Sequence, residues 1–391
     1  MKVLHVIPSI SELRGGPTFV LRKMAIGLTG VGVENVIVCT DDDGPARNKP
    51  DLSWATEMGI RVFVFPRQTR FYSFSGGMAR WLFKKVGDFD IVHVHSIFNF
   101  PSVAACLISR FRKKPYILKP LGILSEWGFA NRHPFLKPLS FRFIEREMFL
   151  NAYAVHVTSD LERKAVEGFL QRDKQMVVIP DFVARLIVIP EPTDLQAGDV
   201  INPAEATQVT RTVLFMSRVD PKKNVEVLIA AFQTVLQRLP NARLLIVGPG
   251  DPAYVESLKK QVNALGLDNF VTWRGFVGGA EKWEILRNAS VLVLPSHAEN
   301  FAVIVLEALS VNTLVVISEN VGLADCIKEA TAGVVTTTNP DDVAKGILTL
   351  LMDVQLAAQC RTNGRTLIDQ QFSQTAVIDK LTNMYAAALR S

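Results

Sequence analysis

Residues 291–318 read VLVLPSHAENFAVIVLEALSVNTLVVIS. The apolar run Val291–Leu294 stops at Pro295 and gives way to a polar stretch, Ser296 to Asn300. An apolar segment then starts at about Phe301, and a second short run, Leu314–Ile317, closes the stretch. Short β-branched runs bounded by Pro and polar residues read as strands, and the longer apolar segment between them reads as a helix. Strands with no polar alternation belong to a parallel sheet covered on both faces.

The same alternation extends outward in both directions. Strands are expected at Val3–Ile7, Val36–Cys39, Val62–Phe65, Ile91–His95, Tyr116–Leu118, Ala154–Val157 and Met176–Ile179. The second half adds Val213–Met216, Arg243–Val247, Val271–Arg274, Val291–Leu294, Leu314–Ile317 and Gly333–Val335. This is an α/β chain of two Rossmann-like, doubly wound parallel sheets. Residues 191–210, rich in Pro, Thr and acids, read as a linker between a first domain, 1–190, and a second, 211–370. The segment 371–391 reads as a helix that packs back on the first domain.

Composition narrows the class. At 391 residues and 48% hydrophobic, the chain can bury a large core, which excludes a disordered protein. Cys39, Cys106, Cys326 and Cys360 stand far apart, without zinc or disulfide spacing, and fit a cytoplasmic protein. The start, MKVLHVIPS, is too short for a signal peptide and reads as a buried strand, and no apolar run is long enough to span a bilayer. The net charge of +5 hides an asymmetry: residues 1–190 hold 26 Lys and Arg against 17 Asp and Glu. A basic half fits an anionic partner or a solvated basic surface, and no recognition-helix or RNA-binding signature points to nucleic acid.

Ligands of parallel sheets bind in the loops after the strands. Three such loops carry chemistry. The first ends in Arg14-Gly15-Gly16-Pro17 before a helix, where backbone amides can face an anion. The second, Ser217-Arg218-Val219-Asp220-Pro221-Lys222-Lys223-Asn224, offers a planar guanidinium and a point charge, which suits a diphosphate or simply a solvated turn. The third is the opening stretch. Glu299 precedes a helix start, and Glu307 lies inside an apolar helix, where a carboxylate needs a polyol ligand or an ion-pair partner. In the first half, His93 and His95 share one strand face. His93 reads as a core residue and His95, at the strand end, as facing a cleft. Segment 128–149, GFANRHPFLKPLSFRFIEREMF, mixes cations with aromatics, as a membrane-interface helix or an ordinary amphipathic helix would. Asp41-Asp42-Asp43 reads as a solvated turn.

Together, and in this order, these motifs resemble the family-4 retaining glycosyltransferases of GT-B fold. Glu299 and Glu307 match that family's E-x7-E motif, Arg218 and Lys223 its diphosphate ligands, and Gly15 and Gly16 its N-terminal glycine loop. The stretches LLIVGPGD, VTWRGFV and GLADCIKEATAGVV fall in the expected places. The resemblance implies two domains facing across a cleft and a hexose transferred with retention from a UDP- or GDP-sugar. The acceptor would be a glycan or lipid-linked acceptor in envelope or exopolysaccharide synthesis. It implies no cofactor and no metal, and a place in the cytoplasm or on the inner face of the plasma membrane. Glu299, Arg218 and Lys223 would be catalytic. Glu307, Gly15, Gly16, Asn300, Phe301 and Ala302 would hold the donor. His95, Lys119 and Trp127 would stand on the acceptor side. Two departures matter: Leu121 occupies the place of a donor-contacting His, and Ala302 that of a Gly. The Leu121 departure keeps open a non-catalytic protein that only binds a sugar nucleotide.

Overall fold

The computed structural model describes residues 1–11, 16–42, 50–124, 136–183 and 211–390. It divides into two compact units, Met1–Phe182 with Gln374–Ser391, and Val183–Ser373. The division therefore falls at 182/183 rather than at 190, and the returning segment starts at Gln374 rather than 371. The expected linker, 191–210, lies outside the described residues.

All thirteen expected runs form strands, with ends shifted by at most two residues. The first unit holds β1 (Lys2–Val6), β2 (Glu34–Thr40), β3 (Arg61–Phe65), β4 (Ile91–His95), β5 (Tyr116–Lys119), β6 (Ala154–Val157) and β7 (Met176–Val178). They form one sheet in the order β3-β2-β1-β4-β5-β6-β7. The second unit holds β8 (Arg211–Met216), β9 (Ala242–Val247), β10 (Val271–Arg274), β11 (Val291–Leu294), β12 (Leu314–Ser318) and β13 (Val334–Thr336), in the order β10-β9-β8-β11-β12-β13. Every pairing is parallel. Strand order reverses between β1 and β4, and again between β8 and β11. Those two places are where a sheet of this kind opens a crevice for a ligand.

Helices cover both faces of each sheet. In the first unit, one face carries Leu4, Val6, Val92, Val94 and Leu118 into a core with the helices Gly76–Lys85 and Phe100–Phe111. The other carries Val3, Ile91 and Ile117 against the C-terminal helix Gln374–Arg390 through Val377, Leu381 and Tyr385. Toward the carboxyl ends of the strands that second face turns polar. His5 lies beside His93 in the β1–β4 register, His95 lies beside Lys119 in β4–β5, and His156 follows on β6.

The hydrogen bonds among these buried groups fix every tautomer. Asn35 gives its amide hydrogens to Ala25 O and Val33 O, so its Oδ1 accepts from His5 Nε2 at 3.0 Å. His5 Nδ1 is then a bare lone pair and accepts from His95 Nε2 at 3.1 Å. From the other side, His156 Nε2 donates to Ile179 O at 2.9 Å. Its Nδ1 accepts from His93 Nε2 at 3.3 Å, and His93 Nδ1 accepts from the Tyr385 hydroxyl at 2.7 Å. His5, His93 and His156 are therefore neutral donors and acceptors at once, and neutral His95 donates through Nε2. His5, His93 and His95 also bring ligand nitrogens within 4.8 Å of one another, a spacing compatible with a metal, but all of these nitrogens except His95 Nδ1 already serve this network.

Burial pushes the His5 imidazole down to about 4 and holds His93, His95 and His156 well below the usual range, with Lys119 adding to the effect on the last three. A depressed folded-state pKa makes the unfolded chain bind more protons below about pH 6.5, so stability is complete above that value and falls on acidification. For His5 alone the loss by pH 5 is about 2 kcal/mol. The melting temperature is therefore expected to be level from about pH 8 to 7 and to drop between about 6.5 and 5. A level curve through that window would contradict neutral buried imidazoles. Tyr385→Phe leaves His93 Nδ1 without its donor and is expected to cost about 1–3 kcal/mol in denaturant unfolding.

Candidate functional site

The order reversal in the second sheet gathers the loops after β8, β9, β11 and β12. After β8, Ser217 N donates to Val247 O and Val219 N to Pro249 O, which lays the loop along the one after β9. That contact requires Gly248. Its φ is +138°, and an added Cβ would stand 1.8 Å from Ser217 O. Asp220 then caps the short turn Pro221–Lys223 by accepting from Lys222 N. Asn224 adopts a left-handed conformation, φ +57°, which leads into the helix Val225–Arg238.

Asn224 also reaches across to the opening stretch, where its Nδ2 donates to Pro295 O at 3.1 Å. His297 N donates to Lys222 O at 2.9 Å. Glu299 is held on its other side by the loop after β12: its N donates to Asn320 O and its O accepts from Gly322 N. With both loops fixed, Lys223 Nζ and Glu299 Oε2 form an ion pair whose side chains are only 11% and 18% exposed. Arg218, one turn before, is exposed and makes no ion pair among the described residues.

The helix after Glu299 begins at Val303, later than the expected Phe301. Ala302 causes the delay by adopting φ +67°. This is the backbone that a glycine would take without strain, so the Ala carries a cost of about 1 kcal/mol. The Phe301 ring does not face a ligand: it is buried and packs edge-on against Phe372 at 5.9 Å. Asn300 is half-buried. What these residues leave for a ligand is backbone amide at a helix start.

Glu307 is buried in the helix Val303–Ser310, and its Oε2 lies 2.5 Å from Lys282 Nζ on the helix Gly279–Asn288. The ion-pair alternative for this carboxylate is thus realised. Lys282 escaped the sequence reading because a single lysine on an amphipathic helix carries no pattern. Only the packing of the two helices sets it opposite Glu307.

The first-unit candidates fare differently. Gly15 and Trp127 lie outside the described residues. Gly16 is exposed and opens the helix Gly16–Gly30 with free space around its Cα. His95 is not at a surface: it is buried, stacked on His93 at 4.2 Å and bonded to His5. Lys119 is no accessible cation either, being 0% exposed and paired with Asp181 at 2.7 Å. Both corrections have one reason, since the sheet face that presents these side chains is covered. Asp42 also departs from the solvated turn: it is buried, bonded to Arg67 and to Ser73 Oγ. Leu121 takes φ +59°, and the next residue, Gly122, donates its N–H to buried Glu162. Glu162 accepts from Thr158 as well, so it pins the loop that holds Leu121.

Comparison with known proteins bears on the family. Residues 202–367 match the family described as "Glycosyl transferases group 1", and residues 15–181 match "Glycosyl transferase 4-like domain". An uncharacterized glycosyltransferase of Methanocaldococcus jannaschii is 33% identical over 46% of this chain and 45% of its own. A phosphatidyl-myo-inositol mannosyltransferase of Mycolicibacterium smegmatis is 33% identical over 70% of this chain and 64% of its own. The chain thus spans less than two thirds of either relative. Among solved structures, Anabaena HepE in complex with UDP and glucose superposes with a TM-score of 0.74 over 99% of this chain and 100% of that one, at 19% identity. Each half matches a glycosyltransferase family and the fold is shared over the whole length: the chain belongs to the group 1 glycosyltransferases of GT-B fold.

Proposed function

We propose that this protein transfers a hexose from a UDP- or GDP-sugar to a glycan or lipid-linked acceptor, with retention of configuration and without a metal. The Lys223–Glu299 pair beside exposed Arg218, at the order reversal of the second sheet, carries the reading. Transfer from a nucleoside diphosphate puts negative charge on the departing phosphate, and fixed cations lower that barrier most where water is excluded. Arg218 supplies a planar fork and Lys223 a point charge. Lys223 is held in place by Glu299 before any donor arrives. Glu299 in turn has one oxygen committed to Lys223 and the other available to orient sugar hydroxyls. The amides of residues 300–302 face the phosphates, and Glu307 takes the ribose hydroxyls while Lys282 balances its charge. HepE, which binds UDP and glucose, and the mannosyltransferase relative support a sugar-nucleotide donor. Work in envelope or exopolysaccharide assembly, on the cytoplasmic face of the membrane, fits this chemistry. No single helix among the described residues is long and apolar enough to cross a bilayer.

Glu299→Ala is expected to lower transfer by on the order of 10²-fold or more while nucleotide affinity stays near wild type. An unchanged rate would reject the role given to Glu299. The wild type is expected to turn over at least one member of a panel of UDP- and GDP-sugars; binding without turnover of any would identify a non-catalytic protein. Ala302→Gly relieves the left-handed strain but frees the unfolded chain, so stability is expected to change by less than about 1 kcal/mol with donor affinity kept. Ala302→Val, β-branched at the same φ, is expected to lower both stability and donor affinity. Equal melting temperatures for the two variants would contradict the assigned backbone.

A further inference from the structure

The helix Val354–Gln371 packs against the helix Val303–Ser310, which bears Glu307. Gly364 lies so close to Leu309 that an added Cβ would stand 2.8 Å from Leu309 Cδ2. Toward the start of the shorter helix, Phe372 sets its ring edge-on against Phe301. Phe372 closes the longer helix by donating its N–H to Ile368 O, and both rings are buried.

Phe372 is held from a further direction. Its O accepts from Val183 N at 3.3 Å, and Val183 and Ser373 form an isolated parallel bridge. These are the two places where the chain passes between the units. Phe182 packs in a core of the first unit with Tyr385, whereas Val183 packs in the core of the second with Phe301 and Phe372. The chain returns to the first unit at Gln374. The two crossings are thus tied to each other at the residue that supports Phe301, and the tie lies wholly within the second unit.

Phe301 precedes Ala302, whose φ of +67° is disfavoured for a residue with a Cβ. Such a backbone persists only where its surroundings over-determine it. Upstream, the loop after β12 fixes Glu299 through its N–H and its carbonyl. Downstream, Val305 N donates to Ala302 O. Between these points the Phe301 ring is the anchor, and Phe372 is what it packs on.

We propose that Phe372 is a positioning residue for the donor: through Phe301 it holds Ala302 left-handed and so aims the amides of the helix start at the diphosphate. This rests on the donor site of the proposed transfer reaction. Coupling of this kind is reciprocal, so an occupied donor site tightens the Phe372 contact and the chain crossing tied to it.

The test reads nucleotide binding and amide exchange on the full chain, with UDP and GDP as probes. Phe372→Ala weakens binding of whichever nucleotide the wild type takes by about tenfold. In turnover it raises the donor KM while kcat stays within about twofold. Leu258→Ala, a buried deletion on the helix Pro252–Ala264 of the same unit, also lowers the melting temperature but keeps wild-type affinity. In an Ala302→Gly background, where the left-handed backbone is unstrained, Phe372→Ala weakens binding by at most about threefold. The wild type alone gives a second reading. Bound nucleotide slows hydrogen exchange at the Val183 and Phe372 amides and leaves the Leu265 amide, at the end of the helix Pro252–Ala264, unchanged. Wild-type affinity in Phe372→Ala, an equal loss in Leu258→Ala, the same tenfold loss in both backgrounds, or no selective slowing at Val183 and Phe372 overturns the proposal. Each of these leaves the transfer reading standing. A wild type that binds neither nucleotide sinks that reading, and this proposal with it.

Discussion

Both sheets are purely parallel, and that single constraint organises the rest. A parallel strand cannot leave a face in water, so every strand needs apolar cover on two sides. It also cannot return through a tight hairpin, so each strand ends in a loop that leads to a helix. Chemistry is therefore expelled from the sheet faces to the strand ends. The loops at the order reversal between β8 and β11 collect Arg218, Lys223, Asn224 and Glu299 for this reason, although up to 81 residues separate them in the chain.

The second unit holds these residues by backbone before it uses their charges. Asn224 to Pro295 and Lys222 to His297 tie two loops, the loop after β12 clasps Glu299, and Gly248 lets a fourth chain segment approach. An ion pair as buried as Lys223–Glu299 loses much hydration and gains it back only in fixed geometry. The strained Ala302 belongs to the same economy of position, since it aims the helix start that follows Glu299.

The first unit departs from the apolar rule where the second keeps it. Four imidazoles and a lysine stand on one covered face, which is tolerable because the groups satisfy one another in a fixed order of donors and acceptors. The Tyr385 hydroxyl ends the chain that runs from Ile179 O through His156 and His93. The C-terminal helix is thereby joined to β4 by a polar bond inside an otherwise apolar contact. Acid sensitivity follows from the same design, because a proton added to His5 Nδ1 or His156 Nδ1 sets it against the N–H of His95 or His93.

The thirteen strands, their parallel pairing and the loops that carry Arg218, Lys223 and Glu299 were legible in sequence, because apolar periodicity and strand-end position are local signals. So was the resemblance to a glycosyltransferase family, which depends on the order of the motifs. Lys282 opposite Glu307, the Phe301–Phe372 contact and the histidine network were not legible. The repeated pattern LHV in β1, VHVH in β4 and VHV in β6 was visible, but periodicity says only that its members share a face within each strand. Register across strands, and the helix that covers them, decided that His95 and Lys119 are inside. The sequence by itself determined which elements form and which loops bear charge, since those follow from neighbours along the chain. Which charges meet, and which side chains water can reach, was decided by tertiary structure alone, because both depend on residues brought together from far apart in sequence.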